Sequence, residues 1–254
     1  MKARTMAHDN GEGVRYGCPA YDAPDAPERF EKEHFSGPLG GFLKEHQEGI
    51  LLGSLPPGPA SEVLDVGAGT GRAAGAAQRL GARVVVLDAS FPMLLAARDG
   101  LDGRVRAVRG DAHGLPFRSR SFDAVVELRL LMHLSDWRRG IRDACRVAAS
   151  TVIVDFPPCS SVAVLAPLLN RLIAIVRPTC RSYRVLSVRH VAEALRESGF
   201  RVVRSERQLM LPFAVHRAVN RVGASRAVEG FLRRFGLTRF LGAPATLVAR
   251  RDVP

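Results

Sequence analysis

The chain has 254 residues, 46% hydrophobic and 24% charged, with four cysteines and a formal net charge of +12 at pH 7. This suits one α/β domain with a sizeable core, or such a domain with a small appendage, and excludes disordered, collagen-like and coiled-coil chains. Cys18, Cys145, Cys159 and Cys180 make no CxxC pair, Met1 to Gly13 is polar, and the longest apolar stretch, 161–176, is broken by Asn170 and Arg171. No disulfide framework, zinc module, secretory signal or spanning helix is therefore expected, and a cytoplasmic setting is the default.

Residues 1–27 are rich in Gly, Pro, Asp and Ala without an apolar period and read as an arm or lid. Helical spacing runs from Pro27 to Leu55 with a break at Ser36–Gly41, carrying Phe30, Phe35, Phe42, Leu43, Ile50 and Leu51. The run Pro56-Pro57-Gly58-Pro59 ends it. Short apolar runs then alternate with helical stretches, the pattern of βαβ units around a parallel sheet. Strands are expected at 62–66, 83–88, 104–109, 122–127, 150–155, 200–206 and 245–250, with helices at 70–80, 92–99, 136–148 and 188–198. Residues 1–58 thus form an arm with lid helices and 59–254 the main domain, with cap insertions at 157–187 and 211–243.

The first strand runs into Asp65-Val66-Gly67-Ala68-Gly69-Thr70-Gly71-Arg72. Alternate glycines allow a tight turn and close approach of a ligand to helix N–H groups. The spacing GxGxG departs from the GxGxxG of dinucleotide sites, which disfavours a dehydrogenase. Asp88 closes the second strand about 20 residues further on, where a carboxylate can accept both hydroxyls of a ribose. Ser90 competes with Asp88 for the alternative task of helix N-cap. After the third strand, Asp111 in Gly110-Asp111-Ala112 can accept from an exocyclic amine, and Leu115 and Phe117 can line an adenine face.

These motifs, with Leu87-Asp88 and Met93, Leu115-Pro116-Phe117 and Ser121-Phe122-Asp123-Ala124-Val125-Val126, resemble the class I S-adenosylmethionine-dependent methyltransferases. The subgroup is the one containing the menaquinone and ubiquinone C-methyltransferases, and the likeness covers roughly residues 60–150. The resemblance implies a Rossmann-like α/β fold, a seven-stranded sheet with its last strand antiparallel and helices on both faces, and S-adenosylmethionine as cofactor. It places Gly67, Ala68, Gly69 and Gly71 around the methionine part and Asp65 near its amino group. Asp88 and Ala89 fall at the ribose, Asp111 and Ala112 at the adenine, and Met93 and Leu128 beside the cofactor.

Methyl transfer from a sulfonium is an in-line displacement, so alignment dominates and a base is needed only when the acceptor must lose a proton. His133, after the fourth strand, resembles a histidine often seen there and is the candidate base, or else a packing residue. Arg129 stands on an apolar strand end, either facing the site toward an anionic substrate or paired with Glu127 or Asp136. His113 is a weaker candidate, and Tyr16, Tyr21 and Phe30 can close over the substrate. Asp155-Phe156-Pro157-Pro158-Cys159 is similar to nucleophile motifs of DNA methyltransferases, but it follows the fifth strand instead of the fourth, so a proline turn is expected.

Residues 1–170 hold 20 basic and 20 acidic side chains, whereas 171–254 hold 17 arginines against five acids. In that last third Arg alternates with Phe and Leu, as in Phe231-Leu232-Arg233-Arg234-Phe235 and Arg239-Phe240-Leu241. The pattern suits an anionic membrane surface, or a cover over the site mouth with apolar faces turned inward. With one Trp and three Tyr, nucleic acid is the disfavoured partner. The expectation is methyl transfer to a small, hydrophobic or lipid-like acceptor with a polar or anionic head. Its rivals are an RNA or DNA methyltransferase and a non-catalytic binder of the cofactor, and the oligomeric state is left open.

Overall fold

The computed structural model describes residues 21–161, 184–209, 221–236, 238 and 241–252. Seven strands form one sheet: β1 (Glu62–Val66), β2 (Arg83–Asp88), β3 (Arg106–Arg109), β4 (Phe122–Glu127), β5 (Ala148–Phe156), β6 (Phe200–Leu209) and β7 (Ala243–Arg251). Their order is β3-β2-β1-β4-β5-β7-β6, with β7 antiparallel to both of its neighbours and the other pairings parallel. All seven expected strands are present, and the last one is antiparallel as the resemblance implies.

Helices α1 (Ala26–Phe35) and α2 (Gly37–Leu52) precede the sheet, and α3 (Arg72–Arg79), α4 (Phe91–Gly100), α5 (Trp137–Val147), α6 (Val188–Glu197) and α7 (Val222–Arg234) follow in chain order. The break between α1 and α2 is narrower than expected. It falls at Ser36, where Gly37 takes φ +71°, and α2 continues through Gly40 and Gly41.

The central strands are near-continuous runs of Val, Leu and Ala because both of their faces are covered. Successive side chains alternate, so Leu64, Val125, Val154 and Leu247 join Ile141 of α5 and Leu195 of α6 in one core layer. Val63, Val86, Ala124 and Ile153 face the other layer, against Ala73, Ala74, Ala76 and Ala77 of α3. Four buried alanines let α3 lie close to the sheet, which brings its first turn down to the end of β1.

Chain direction reverses across the sheet between β1 and β4, so the loops leaving their carboxyl ends diverge and leave a crevice there. Within 157–187, Leu186 accepts from the Cys159 N–H at 2.9 Å and donates to the Pro157 carbonyl at 2.9 Å. Most of that insertion, including the apolar stretch 162–176 and Cys180, lies outside the described residues, as do Tyr16 and residues 210–220, Arg239 and Phe240.

Candidate functional site

At the end of β1 the chain turns through Gly67, Gly69 and Gly71 with φ of +65°, +56° and +82°. Side-chain-bearing residues disfavour that region by about 1–2 kcal/mol. The N–H groups of Gly67 and Ala68 donate to the Leu87 carbonyl at 2.7 and 3.1 Å, stitching the loop to β2. A Cβ on Gly67 would sit 2.8 Å from Cδ1 of Leu130, whereas one on Gly69 would meet nothing within 4 Å. Gly67 is thus packed against the loop after β4, and Gly69 faces open space that a ligand can enter.

Asp65 is buried and accepts the Ala74 N–H at 3.0 Å, tying the first turn of α3 to β1. Burial pushes its carboxyl up to about 7, with the Ala74 N–H and the Arg72 charge pulling it down. Asp88 accepts from the Gly69 N–H at 2.9 Å on one oxygen and from the Ser90 N–H at 2.9 Å on the other. The cap of α4 is Ser90, which accepts from the Met93 N–H at 3.3 Å. Asp88 is therefore free of the capping task and stands beside the glycine loop. Burial raises its pKa, opposed by the N–H groups of Ser90, Gly69 and Ala89.

One oxygen of Asp111 accepts from the His113 N–H at 3.1 Å and lies 2.9 Å from His113 Nδ1. His113 thus orients Asp111. Met93, Ala112, Leu115 and Leu128 are buried. The carboxylates of Asp88 and Asp111 and the open space above Gly69 fit a cationic nucleoside such as S-adenosylmethionine.

Helices α1 and α2 close over this crevice. The Ser90 hydroxyl donates to the Tyr21 carbonyl at 2.6 Å, and the Tyr21 ring stands edge-on to Phe30 and to His133, with centroids 6.1 and 6.3 Å apart. Glu31 accepts from Thr70 of the glycine loop and from Lys44 of α2, each at 2.7 Å. Burial acts to raise the Glu31 pKa, but these two hydrogen bonds prevail and it is lowered. The Arg72 guanidinium lies 3.8 Å from the centroid of the Phe35 ring and donates to Gln47 at 2.7 Å. Gln47 in turn donates to Asp155 at 2.9 Å, and the other Asp155 oxygen accepts the Arg129 N–H.

That hydrogen bond holds Arg129 at φ +57°, with its guanidinium 5.5 and 5.8 Å from the Phe30 and Phe35 rings. The expected pairing of Arg129 with Glu127 is not met, since neither Glu127 oxygen has a partner among the described residues, and Asp136 pairs with Arg142; the Arg129 guanidinium faces Phe30 and Phe35 instead. Burial, joined by the Arg129 charge, pushes Arg72 down to about 10. His133 sits in a 3-10 turn, Leu131–His133, under Tyr21. Glu127 is fully buried, and neither of its oxygens has a hydrogen-bond partner among the described residues. Burial, with a smaller contribution from Asp143, raises its carboxyl to about 8.

Sequence reasoning overlooked Gln47, Arg72 and Glu31 as site residues. Arg72 had a signal, since it directly follows the glycine loop, and Asp155 closes β5 as Asp88 closes β2. Gln47 had none, because only the fold of α2 onto the sheet brings it to Asp155. Cys159 is exposed on the loop after β5.

The sequence pattern of the family described as "Methyltransferase domain" matches residues 64–154. The demethylmenaquinone methyltransferase of Clavibacter sepedonicus is 30% identical over 194 residues, covering 68% of this chain and 79% of that protein. The demethylmenaquinone methyltransferase of Thermobifida fusca is 39% identical over 89 residues, but that match spans only 34% of this chain and 38% of that protein. Among solved structures, the complex between the Haloferax volcanii Trm112 methyltransferase activator and a methyltransferase matches with a TM-score of 0.67 and 21% identity. It covers 95% of this chain and 100% of that one, and shows the fold. With the glycine loop, strand-end carboxylates and sheet order above, these likenesses establish that the chain belongs to the class I S-adenosylmethionine-dependent methyltransferases.

Proposed function

We propose that this enzyme methylates a hydrophobic, quinone-like acceptor with an anionic head, held between the glycine loop and a lid formed by α1 and α2. The observation that carries the reading is the placing of Arg129 and Arg72 against Phe30 and Phe35. Cations stacked on aromatic rings under a lid suit a flat, apolar ring system bearing negative charge. The relatives named demethylmenaquinone methyltransferase support a quinone-like ring.

S-adenosylmethionine supplies an electrophilic methyl group on a sulfonium. Asp88 takes the ribose hydroxyls, with Ala89 beside it, and Asp111 with Ala112 takes the adenine amine. Met93 and Leu128 pack against the cofactor, and Gly67, Ala68, Gly69 and Gly71 lie along its methionine part. Asp65 reaches that region mainly through α3, since its carboxylate is engaged with the Ala74 N–H. Arg129 orients the acceptor's anionic oxygen, which raises electron density on the ring. His133 accepts the proton that the acceptor releases, and Tyr21 shields that transfer from water.

Methyl transfer to a prenylated hydroxynaphthalene, compared with a ring of the same size lacking the acidic hydroxyl, tests the reading. Turnover of the acidic acceptor that falls about 100-fold in Arg129→Gln with S-adenosylmethionine binding intact supports it. Equal turnover of both acceptors, or of both enzymes, overturns it.

A further inference from the structure

Helix α7 carries apolar residues on its outward face, with Val222 and Leu232 half-buried on the inward one. Its buried positions are Ser225 and Glu229, while Ala224, Ala227, Val228, Phe231 and Phe235 are exposed. These five recur at helical spacing and make one outward apolar stripe. Val228, Phe231 and Phe235 are 43%, 61% and 64% exposed, and the two rings stack with centroids 4.6 Å apart. Exposed Leu241 follows, close in the chain. Water tolerates single exposed apolar side chains, but a continuous stripe with two phenylalanines marks a surface that meets a partner.

The chemistry of that partner is set by what flanks the stripe. By helical spacing Arg221 and Arg234 border it, both exposed, against the one buried acid Glu229. Two further arginines, on the face turned to α2, fix the helix in place. Arg226 donates to Glu45 at 2.7 Å and lies 5.4 Å from the Phe42 ring. Arg233 contacts His46 at 3.1 Å and the Gln208 carbonyl at 3.4 Å. The helix is thereby held on α2 with its phenylalanines turned outward.

We infer that α7 docks the enzyme on an anionic lipid bilayer, with Phe231 and Phe235 among the acyl chains and Arg221 and Arg234 at headgroup phosphates. A bilayer supplies apolar and negative surface side by side, which matches both halves of the pattern. A second copy of the chain matches only the apolar half, since it brings the same arginine flank toward its own. Among the described residues no helix is long and apolar enough to cross a membrane. Because α7 rests on α2, and Gln47 of α2 reaches Asp155 in the site, the docked face adjoins the lid under which the acceptor is proposed to bind. The docking itself stands whatever the acceptor.

Vesicle flotation tests it, using phosphatidylcholine alone and phosphatidylcholine mixed with phosphatidylglycerol, in about 0.1 M salt. The wild type is expected to float with the mixed vesicles and not with the neutral ones, and to be released at about 0.5 M salt. The double variant Phe231→Ser with Phe235→Ser should lose about tenfold or more of this binding, and Arg234→Gln a smaller part. S-adenosylmethionine binding by calorimetry should be unchanged in both variants, which shows that they are folded and keeps this test separate from the proposed activity. Absence of wild-type flotation, or flotation untouched by the serine substitutions, overturns the inference. So does a wild-type dimer in sedimentation that the serine substitutions dissociate, which would assign the stripe to a second copy.

Discussion

Glu127 ends β4 with a carboxyl that nothing among the described residues solvates, and burial raises its pKa from the ordinary 4.5 to about 8. The folded state therefore keeps a proton that the unfolded chain gives up near pH 4.5. Stability from this group is full below that point and falls as pH rises toward about 8, where the folded group also ionises. Glu127→Gln removes the titration, so its stability relative to wild type should grow by about 3 kcal/mol between about pH 5 and pH 8 in urea unfolding. A constant difference across that range refutes the assignment. Asp88 tests the cofactor side: Asp88→Ala should weaken S-adenosylmethionine binding by about 2 kcal/mol, roughly 30-fold, in calorimetry. The two inner glycines should separate. Gly67→Ala and Gly69→Ala share the cost of a positive φ, about 1–2 kcal/mol. Gly67→Ala adds a clash with Leu130 and should show the lower melting temperature, whereas Gly69→Ala should show the larger loss of cofactor affinity. The glycine loop and Asp88 were legible because each follows an apolar run at a strand end, and Asp111 because its Gly-Asp-Ala motif follows an expected strand. Glu127 was not, since a strand-end acid looks the same in sequence whether it faces water or the core.

At the level of elements, the lid is joined to the site by three kinds of contact: Glu31 to Thr70, Phe35 on Arg72, and Gln47 to Asp155. Phe35 is the member that covers the Arg72 guanidinium, so Phe35→Ala should admit water there and let α1 lift. Limited proteolysis within α1 should then be about tenfold faster than in wild type while the melting temperature of the sheet domain changes little. Simultaneous loss of both would make α1 part of the core instead of a cover. Strand and helix positions were readable because buried parallel strands and amphipathic helices have different periods. The ends of β6 and β7 were not, since their pairing extends into polar residues such as Arg207 and Arg251 that carry no strand signal, and β5 reaches back to Ala148, which reads as the end of the preceding helix. The outward face of α7 was equally hidden. Its apolar spacing alone fits an inward or an outward stripe, and only the buried Ser225 and Glu229 decide between them.

On the scale of the whole molecule, charge and topology are both uneven along the chain. The excess of arginine lies after residue 170, and α7, which carries part of it, sits on the lid helix α2. The seat of β7 is the more consequential asymmetry. It lies between β5 and β6, pairing with Thr151–Phe156 on one side and Phe200–Leu209 on the other, so β6 touches no earlier strand of the sheet directly. On a ribosome, the sheet from β3 to β5 can assemble as soon as β5 emerges, but β6 then waits without a ladder until β7 has cleared the exit tunnel. Throughout that interval the β5 edge, rich in valine and isoleucine, is open to foreign strands. Nascent chains arrested before residue 243 should accordingly bind holdase chaperones through β5, and chains whose β7 has left the tunnel should release them.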